Sequence, residues 1–549
     1  MKFFKLFSLF LLILFFLSCS KTTEEVSNRL QSEEPKGEPL VIGVLPDESP
    51  RIIYEKLYPL KKFISDKLKK PVLIEIAKNF KDLENKIKEG KIHLLIIDPT
   101  IYCELKWTME NKIFPILKPE GGTAETRSVF VTKEGKNIEK IFDSLGKRLA
   151  LGDEKSSFSY LIPISMLRDV DISLKDFKSV DLLEKEQRIA LSILIGDHDI
   201  GAMSEITANK YVSNGLKVIR YSEPTPRFLI AHTQIMNKED IEKIKISLTT
   251  QKDESVYKSL GVSNFLIAED RDFDYVRVLI RNLSGRDYIK YGENTIKVAI
   301  LPLYSPITIY KRYDPLMRYL SEKTGYEFKL VIPKNFEEFI EIVSKGKVHF
   351  SYQNPYVFSI VSKKYPIKPI VVTIGEDCTT EEGICGNEKF RGIIITRKDS
   401  KINKLEDLIG KKIMIVSPTS AGGYLSQKLY LEKKGFNLHR DFKFIDAKRQ
   451  EKVIIGVYKG EADAGFIREA ALSVWSDEVD ISKLKILAYG EYLPNWPFAV
   501  VDNRNLELTQ KVKKLISELD DKNILKKAKV KGFKEATDED MVLLKKLGN

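Results

Sequence analysis

Short apolar runs alternate with longer amphipathic stretches along most of the chain. In the second half, KVAILP from Lys297 predicts a buried strand, DPLMRYLSEK a helix, FKLVIP a strand, FEEFIEIVSKG a helix, and HFSYQNP a further strand. That alternation predicts an α/β sheet with crossover helices. RGIIITRKDS and then KLEDLIGKKIMIVSPTSAGGYLSQKLYLEKKG supply a strand, a turn and a helix that open a second α/β lobe. Two lobes joined by crossing segments leave a cleft. Ligands of open α/β sheets bind where strand ends meet helix starts, so the turn from Ser417 to Gly423 is the first place to look.

The same pattern occurs twice. VIGVLPDESPRIIYEKLYPLKKFI, from Val41, aligns with KVAILPLYSPITIYKRYDPLMRYL, pairing Pro46 with Pro302, Ser49 with Ser305, Tyr54 with Tyr310 and Pro59 with Pro315 at a separation of 256. Asn79, His93 and Pro99 meet Asn335, His349 and Pro355 at the same separation. From Gly146 onward the separation is 264, joining Ser156 to Ser420, Tyr160 to Tyr424 and Asp199 to Asp463, so the second copy carries eight extra residues. A period this long means duplicated domains, because solenoid repeats are several times shorter. The expected architecture is a tandem duplication of a two-lobed domain, four lobes in all: residues 40–284, a linker 285–295, and residues 296–549.

The first residues change the picture of where the chain works. Lys2 and Lys5 precede an apolar run from Leu6 to Leu17 that is too short to span a bilayer, and Leu17-Ser18-Cys19 follows. This resembles the lipobox of bacterial lipoproteins, in which the cysteine is acylated and becomes the mature N-terminus; Phe16 departs from the usual aliphatic residue. Residues 1–19 are thus expected to be a lipoprotein signal peptide, and polar residues 20–39 a flexible tether. An exported protein anchored by lipid to the cell membrane or outer membrane follows. In that compartment Cys378 and Cys385, in DCTTEEGICG, favour a disulfide, and Cys103 reads as a buried small residue. Five histidines and no second cysteine pair give no zinc-like spacing, so no metal or other cofactor is expected.

Lys plus Arg number 90 against 78 Asp plus Glu, a formal net charge of +12 in 549 residues. Lysines alternate with glutamates, as in KDLENKIKEGK, and no basic run with interleaved aromatics appears, which points to a solvated surface and away from nucleic acid. Neither a nucleophile and base set nor a phosphate-binding P-loop is present, so an enzyme is not expected.

SPTSAGGY carries the candidate chemistry. Ser417, Thr419 and Ser420 offer hydroxyls, and Ala421, Gly422 and Gly423 are small enough to let an anion reach the first amides of the following helix. A plain N-cap with a Gly-rich turn would use the same residues. Together with YxPL, the strand entering NPYVF, and VYKGEADAGF, this turn resembles the substrate-binding proteins of phosphonate and phosphite ABC transporters, and both copies carry the resemblance from about Leu40 to the P-x-x-x-F segments at Pro224 and Pro494. The resemblance implies the type II periplasmic-binding fold, closure of two lobes around a small oxyanion, and delivery to an ABC permease. Sensory use of the same fold, without transport, is the alternative.

Carried over by position, the resemblance makes Ser417, Thr419 and Ser420 ligand contacts, with Ala421 and Gly422 beside them. Tyr304 and Tyr356 are further candidates. The family's tyrosine matches Tyr102 in copy one and Phe358 in copy two, and a family histidine falls on Gln450 and on Glu186. Glu469 and Glu205 agree between copies and either take the amine of an aminoalkyl phosphonate or form ion pairs. Asp463 and Asp199 read as structural. In copy one the turn is GDEKSSFSYL, without glycines and with Asp153 and Glu154 beside it, where carboxylates oppose an anion unless Lys155 compensates. Tyr102, Ser156, Ser157, Glu186 and Glu205 form its possible site, but the anion-binding cleft is expected in copy two, with copy one altered to another ligand, to none, or to a spacer or docking role.

Overall fold

The computed structural model describes residues 37–547 apart from 47, 110–111, 171, 376–388, 448, 475–479 and 503–504. The leader, Cys19, most of the tether and the Cys378–Cys385 pair lie outside the described residues. Among the described residues no helix is long and apolar enough to cross a membrane, and no group of three or more His, Cys, Asp or Glu is placed to hold a metal ion.

Four principal sheets fall into two equivalent pairs. In the first lobe of copy one, Leu40–Val44 runs parallel between Val72–Ile76 and Leu94–Ile97, and Leu229–Thr233 closes antiparallel against Leu94–Ile97. Copy two repeats this with Thr295–Ile300 between Glu327–Val331 and Phe350–Tyr352, and Pro497–Val500 antiparallel to the last. The register is conserved as well as the order, for Ile42 faces Leu94 as Val298 faces Phe350. The recurring histidines explain part of this. His93 Nδ1 accepts the amide of Val41 at 3.1 Å and His349 Nδ1 that of Lys297 at 3.0 Å, each locking the central strand to its neighbour's start.

Each second lobe is a five-stranded sheet of the same plan, Arg148–Leu151 beside Ile200–Ser204 in copy one and Lys412–Ile415 beside Ala464–Arg468 in copy two. Asp199 and Asp463, at equivalent strand entries, tie the sheet. Asp199 accepts Arg148 Nε at 3.0 Å and Nη2 at 3.1 Å, and Asp463 accepts the amide of Lys412 at 2.9 Å. The P-x-x-x-F segments cross between lobes as short paired strands, Thr225–Pro226 with Glu125–Thr126 and Leu493–Pro494 with Lys389–Phe390.

The copies are joined through a charged and apolar seam absent from the sequence reading. The helix Asp274–Ser284 contributes Val278 to the apolar cluster of copy two, while Ile307 joins that of copy one. Arg318 of copy two pairs with Glu269 at 2.8 Å and Asp272 at 2.5 Å, and Arg271 of copy one with Asp314 at 2.9 Å. The stretch expected as a linker is pinned there by Tyr288, which is buried and stacks on Trp107 at 4.7 Å. The repeat tyrosine shows what this seam does: Tyr54 is 43% exposed, whereas its counterpart Tyr310 hydrogen-bonds the Arg271 carbonyl inside it.

Arg148 beside Asp199 holds that carboxyl well below the usual carboxylate range. A depressed folded-state value stabilises above the unfolded value and loses its contribution as pH falls. Asp199→Ala should therefore cost about 1.5–3 kcal/mol in urea unfolding at neutral pH. The gap between variant and parent should narrow as the pH is lowered from about 6 to about 3.

Candidate functional site

In copy two the strand Lys412–Ile415 runs into Ser417, Thr419 and Ser420, and a wide π-type turn, Ala421–Leu425, leads into the helix Ser426–Lys433. The Ser420 hydroxyl caps the turn by accepting Gly423 N at 3.0 Å, and Ser417 and Thr419 hydroxyls lie 3.0 Å apart. The first amides of such a turn have no acceptor within the helix. The small residues are required by packing: a Cβ on Gly423 would come 2.3 Å from Val416 Cγ2, and one on Gly422 would come 2.9 Å from Arg468 Cβ and 3.3 Å from the Phe390 ring. Copy one solves the first contact the other way round, with Gly152 making room for Ser159.

Gln427, which sequence reasoning missed, anchors this turn. Fully buried, its Nε2 donates to the carbonyls of Gly422 at 2.9 Å, Ile393 at 3.0 Å and Ile467 at 2.9 Å, tying the turn to two strands. Ser426 adds a second tie, accepting Gly392 N at 2.8 Å. The turn faces lobe one, since Ala421 and Leu425 belong to that lobe's apolar cluster, as does the partly buried Tyr356 of the helix Pro355–Ser362.

Two arginines bring positive charge to this cleft. Arg468 ends the strand Ala464–Arg468, lies against Gly422 and sets its guanidinium 4.6 Å over Phe390. Arg312, on the lobe-one helix Pro306–Thr324, stacks 4.0 Å over Tyr304. Both act on Tyr352, whose hydroxyl burial pushes up to about 12, so it stays protonated; it lies 2.8 Å from Thr373 Oγ1, which itself donates to the Trp496 carbonyl. At the cleft end of Phe350–Tyr352, Gln353 is buried with neither amide atom bonded to any described residue. Its counterpart Ile97 lies in the apolar cluster that spans both lobes of copy one.

The structure places the other expected residues as follows. Gln450 Oε1 accepts the amide of Arg468 at 3.0 Å, so it braces a strand end. Glu469 is held by Arg391 at 2.8 and 3.3 Å, and Arg391 is itself stacked on Tyr489 at 4.0 Å, an ion pair within one lobe that leaves no carboxylate open to an amine. In copy one Tyr102 is fully buried and donates to Asp270 at 2.6 Å, away from any cleft, as Phe358 is buried in copy two. Glu186 accepts Ser204 N at 2.9 Å and Ser204 Oγ at 2.6 Å, the brace equivalent to that of Gln450. Glu205 opens the helix Glu205–Asn209, its amide bonded to the Arg127 carbonyl at 2.9 Å. Ser156 caps its turn as Ser420 does, accepting the amide of Ser159 at 3.2 Å. Lys155 does not offset Asp153 and Glu154: its ammonium sits 4.9 Å over the Phe80 ring of the other lobe. Cys103 is buried, and burial pushes its thiol up to about 12, which keeps it inert.

In copy one Ser157 faces lobe one differently from its counterpart Ala421. Its hydroxyl lies 2.6 Å from Asp98 Oδ1 and 2.6 Å from Thr100 Oγ1.

The family described as "ABC transporter, phosphonate, periplasmic substrate-binding protein" matches residues 42–273 and again 298–541. The phosphate-import protein PhnD of Mycolicibacterium smegmatis is 24% identical over 255 residues, 44% of this chain and 74% of that protein. The tetrathionate sensor histidine kinase TtrS of Salmonella typhimurium is 27% identical over 148 residues, 27% of this chain and 24% of that protein. Among solved structures, PhnD1 of Prochlorococcus marinus in complex with methylphosphonate aligns with a TM-score of 0.42 and 15% identity, covering 45% of this chain and 99% of that one.

Gln427→Leu removes the two amide hydrogens that the carbonyls of Gly422, Ile393 and Ile467 share. Chemical unfolding should register a loss of about 1–3 kcal/mol, confined to the transition of the lobe that carries the turn.

Proposed function

Because this chain belongs to the family of periplasmic substrate-binding proteins of phosphonate ABC transporters, with two family domains in tandem, we propose that copy two captures a small oxyanion of the phosphonate, phosphite or phosphate class and delivers it to an ABC permease. The family is extracytoplasmic and binds solutes; it is not an enzyme family. The observation that carries the ligand class is the turn at Ser420, where hydroxyls, small residues and helix-start amides converge under Arg468.

In this reading the anion's oxygens meet Ser417, Thr419 and Ser420 and the amides near Ala421 and Gly422. Arg468 and Arg312 balance its charge, and Gln353, Tyr304 and Tyr356 approach from lobe one. Neutral donors fix orientation and the arginines fix charge, while closure of the lobes excludes water and strengthens each contact. Cys19 carries the lipid that holds the receptor at the membrane.

A second reading, a surface receptor that signals without transport, is supported by the stretch shared with the tetrathionate sensor kinase. The two differ in ligand and in partner.

Calorimetric titration of the purified chain against methylphosphonate, phosphite, phosphate, sulfonates and tetrathionate decides between them. Saturable binding of a phosphorus oxyanion, weakened about tenfold or more in Ser420→Ala and abolished in Gly422→Asp, is the expected result. Unchanged affinity in both variants removes the turn from the site, and binding of tetrathionate alone transfers the weight to signalling. Cys19→Ala should move the protein from the membrane fraction to the soluble exported fraction; retention on the membrane would rule out the lipid anchor.

A further inference from the structure

The turns of the two copies correspond position for position in sequence, and one pair of differing residues meets across the cleft. Copy one has Asp98 and Ser157 where copy two has Asn354 and Ala421. Asp98 follows the lobe-one strand Leu94–Ile97 and caps the helix Pro99–Thr108, its Oδ1 accepting Thr100 N at 2.6 Å. Ser157 belongs to the lobe-two turn, and its hydroxyl donates to the same carboxyl oxygen at 2.6 Å. A carboxylate thus sits on the turn of copy one, crossing the cleft. Asn354 is neutral, caps its own helix through Oδ1 to Val357 N at 2.8 Å, and faces an alanine with no hydroxyl; among the described residues no hydrogen bond joins it to the turn at Ser420.

Other contacts close copy one in the same sense. Glu48 of lobe one is bound by Lys56 beside it and reaches Lys210 of lobe two at 3.5 Å. Copy two has Tyr304 and Arg312 at the first two positions, a cation over a ring with no carboxylate to share. Phe158 stands where Gly422 opens the turn of copy two, and Lys155 reaches across to Phe80. Ser157, Glu48, Lys210 and Lys155 of the first cleft each already have a partner from the chain itself.

We infer that the first cleft is an oxyanion site whose ligand is the chain's own Asp98 carboxylate, which holds copy one shut without solute and leaves exchange of solute to copy two. The inference rests on the reading that the equivalent turn in copy two takes an oxyanion. Removing the carboxylate should then vacate a site of the carboxylate and phosphate class. A cavity of about 630 Å³ beside the latch, lined by Thr100, Lys155, Tyr160 and Arg168 together with the carboxylates of Glu104 and Glu154, leaves room for a small anion to reach it.

The test uses the full chain carrying Gly422→Asp, so that copy two does not contribute, with Asp98→Asn or Asp98→Ala added. Asn keeps the helix cap, as Asn354 does, and removes only the charge. Amide hydrogen exchange over 152–161 should rise about tenfold or more in Asp98→Asn. In Asp98→Ala the thermal midpoint should fall, and acetate or inorganic phosphate should restore part of it while leaving the parent unchanged. Exchange unaltered in Asp98→Asn, or a destabilised Asp98→Ala that neither anion rescues, overturns the latch. Should Asp98→Ala fail to fold, the exchange result on Asp98→Asn decides. Failure of the unsubstituted chain to bind any oxyanion would instead overturn the reading of copy two, because the latch measurement reads copy one alone.

Discussion

A helix that starts at a strand end leaves its first amides without acceptors, and whatever answers those amides decides what each copy can do. Both second lobes end a strand, at Leu151 and Ile415, against such a start, capped by Ser156 or Ser420. In copy one the answer comes from Asp98 of the facing lobe, and the two lobes are joined by their own side chains. In copy two the facing residue is Asn354, committed to its own helix, and among the described residues no hydrogen bond joins it to the turn at Ser420. The rest of the site is arranged to keep that turn wide and stiff: glycines where Val416 and Arg468 press close, and Gln427 holding the carbonyl side.

Divergence between the copies follows the same economy of contacts. Bulk removed on one side of a contact is restored on the other, as with Gly152 and Ser159 against Val416 and Gly423. Close packing leaves few other solutions, because a void or an overlap of a single carbon is felt. Polar ties that do not face the cleft are kept, among them His93 and His349 and the braces from Glu186 and Gln450. Across the cleft, Asp98 and Ser157 of copy one stand where copy two has Asn354 and Ala421.

The seam between copies couples two modules that each contain a complete pair of lobes. Arg318 and Arg271 bind carboxylates across it, partly buried and backed by the apolar contacts of Val278, Ile307 and Tyr310. Such pairs specify orientation more than they stabilise, since desolvation offsets much of their attraction. A rigid, self-latched first module at the end of this seam would set the position of the module that exchanges solute. The excess positive charge of the whole chain plays little part here, being spread over exposed lysines paired with neighbouring glutamates.

By itself the sequence determined the duplication, the alternation of strands and helices, the two lobes in each copy, the structural role of Asp199 and Asp463, and the location of the turn at Ser420. These are written in local periodicity and in fixed spacings, which survive without knowledge of what packs on what. Only the tertiary structure decided that Tyr102 is core, that Glu469 belongs to Arg391 and Gln450 to a strand end, and that Gln427, Arg468 and Gln353 stand at the cleft. Partners such as Asp98 and Ser157 are 59 residues apart, and Arg391 and Glu469 are 78 apart. No hydrophobic period encodes such pairs; they exist because two lobes, each folded on its own pattern, close against each other and leave buried polar groups that must find one another.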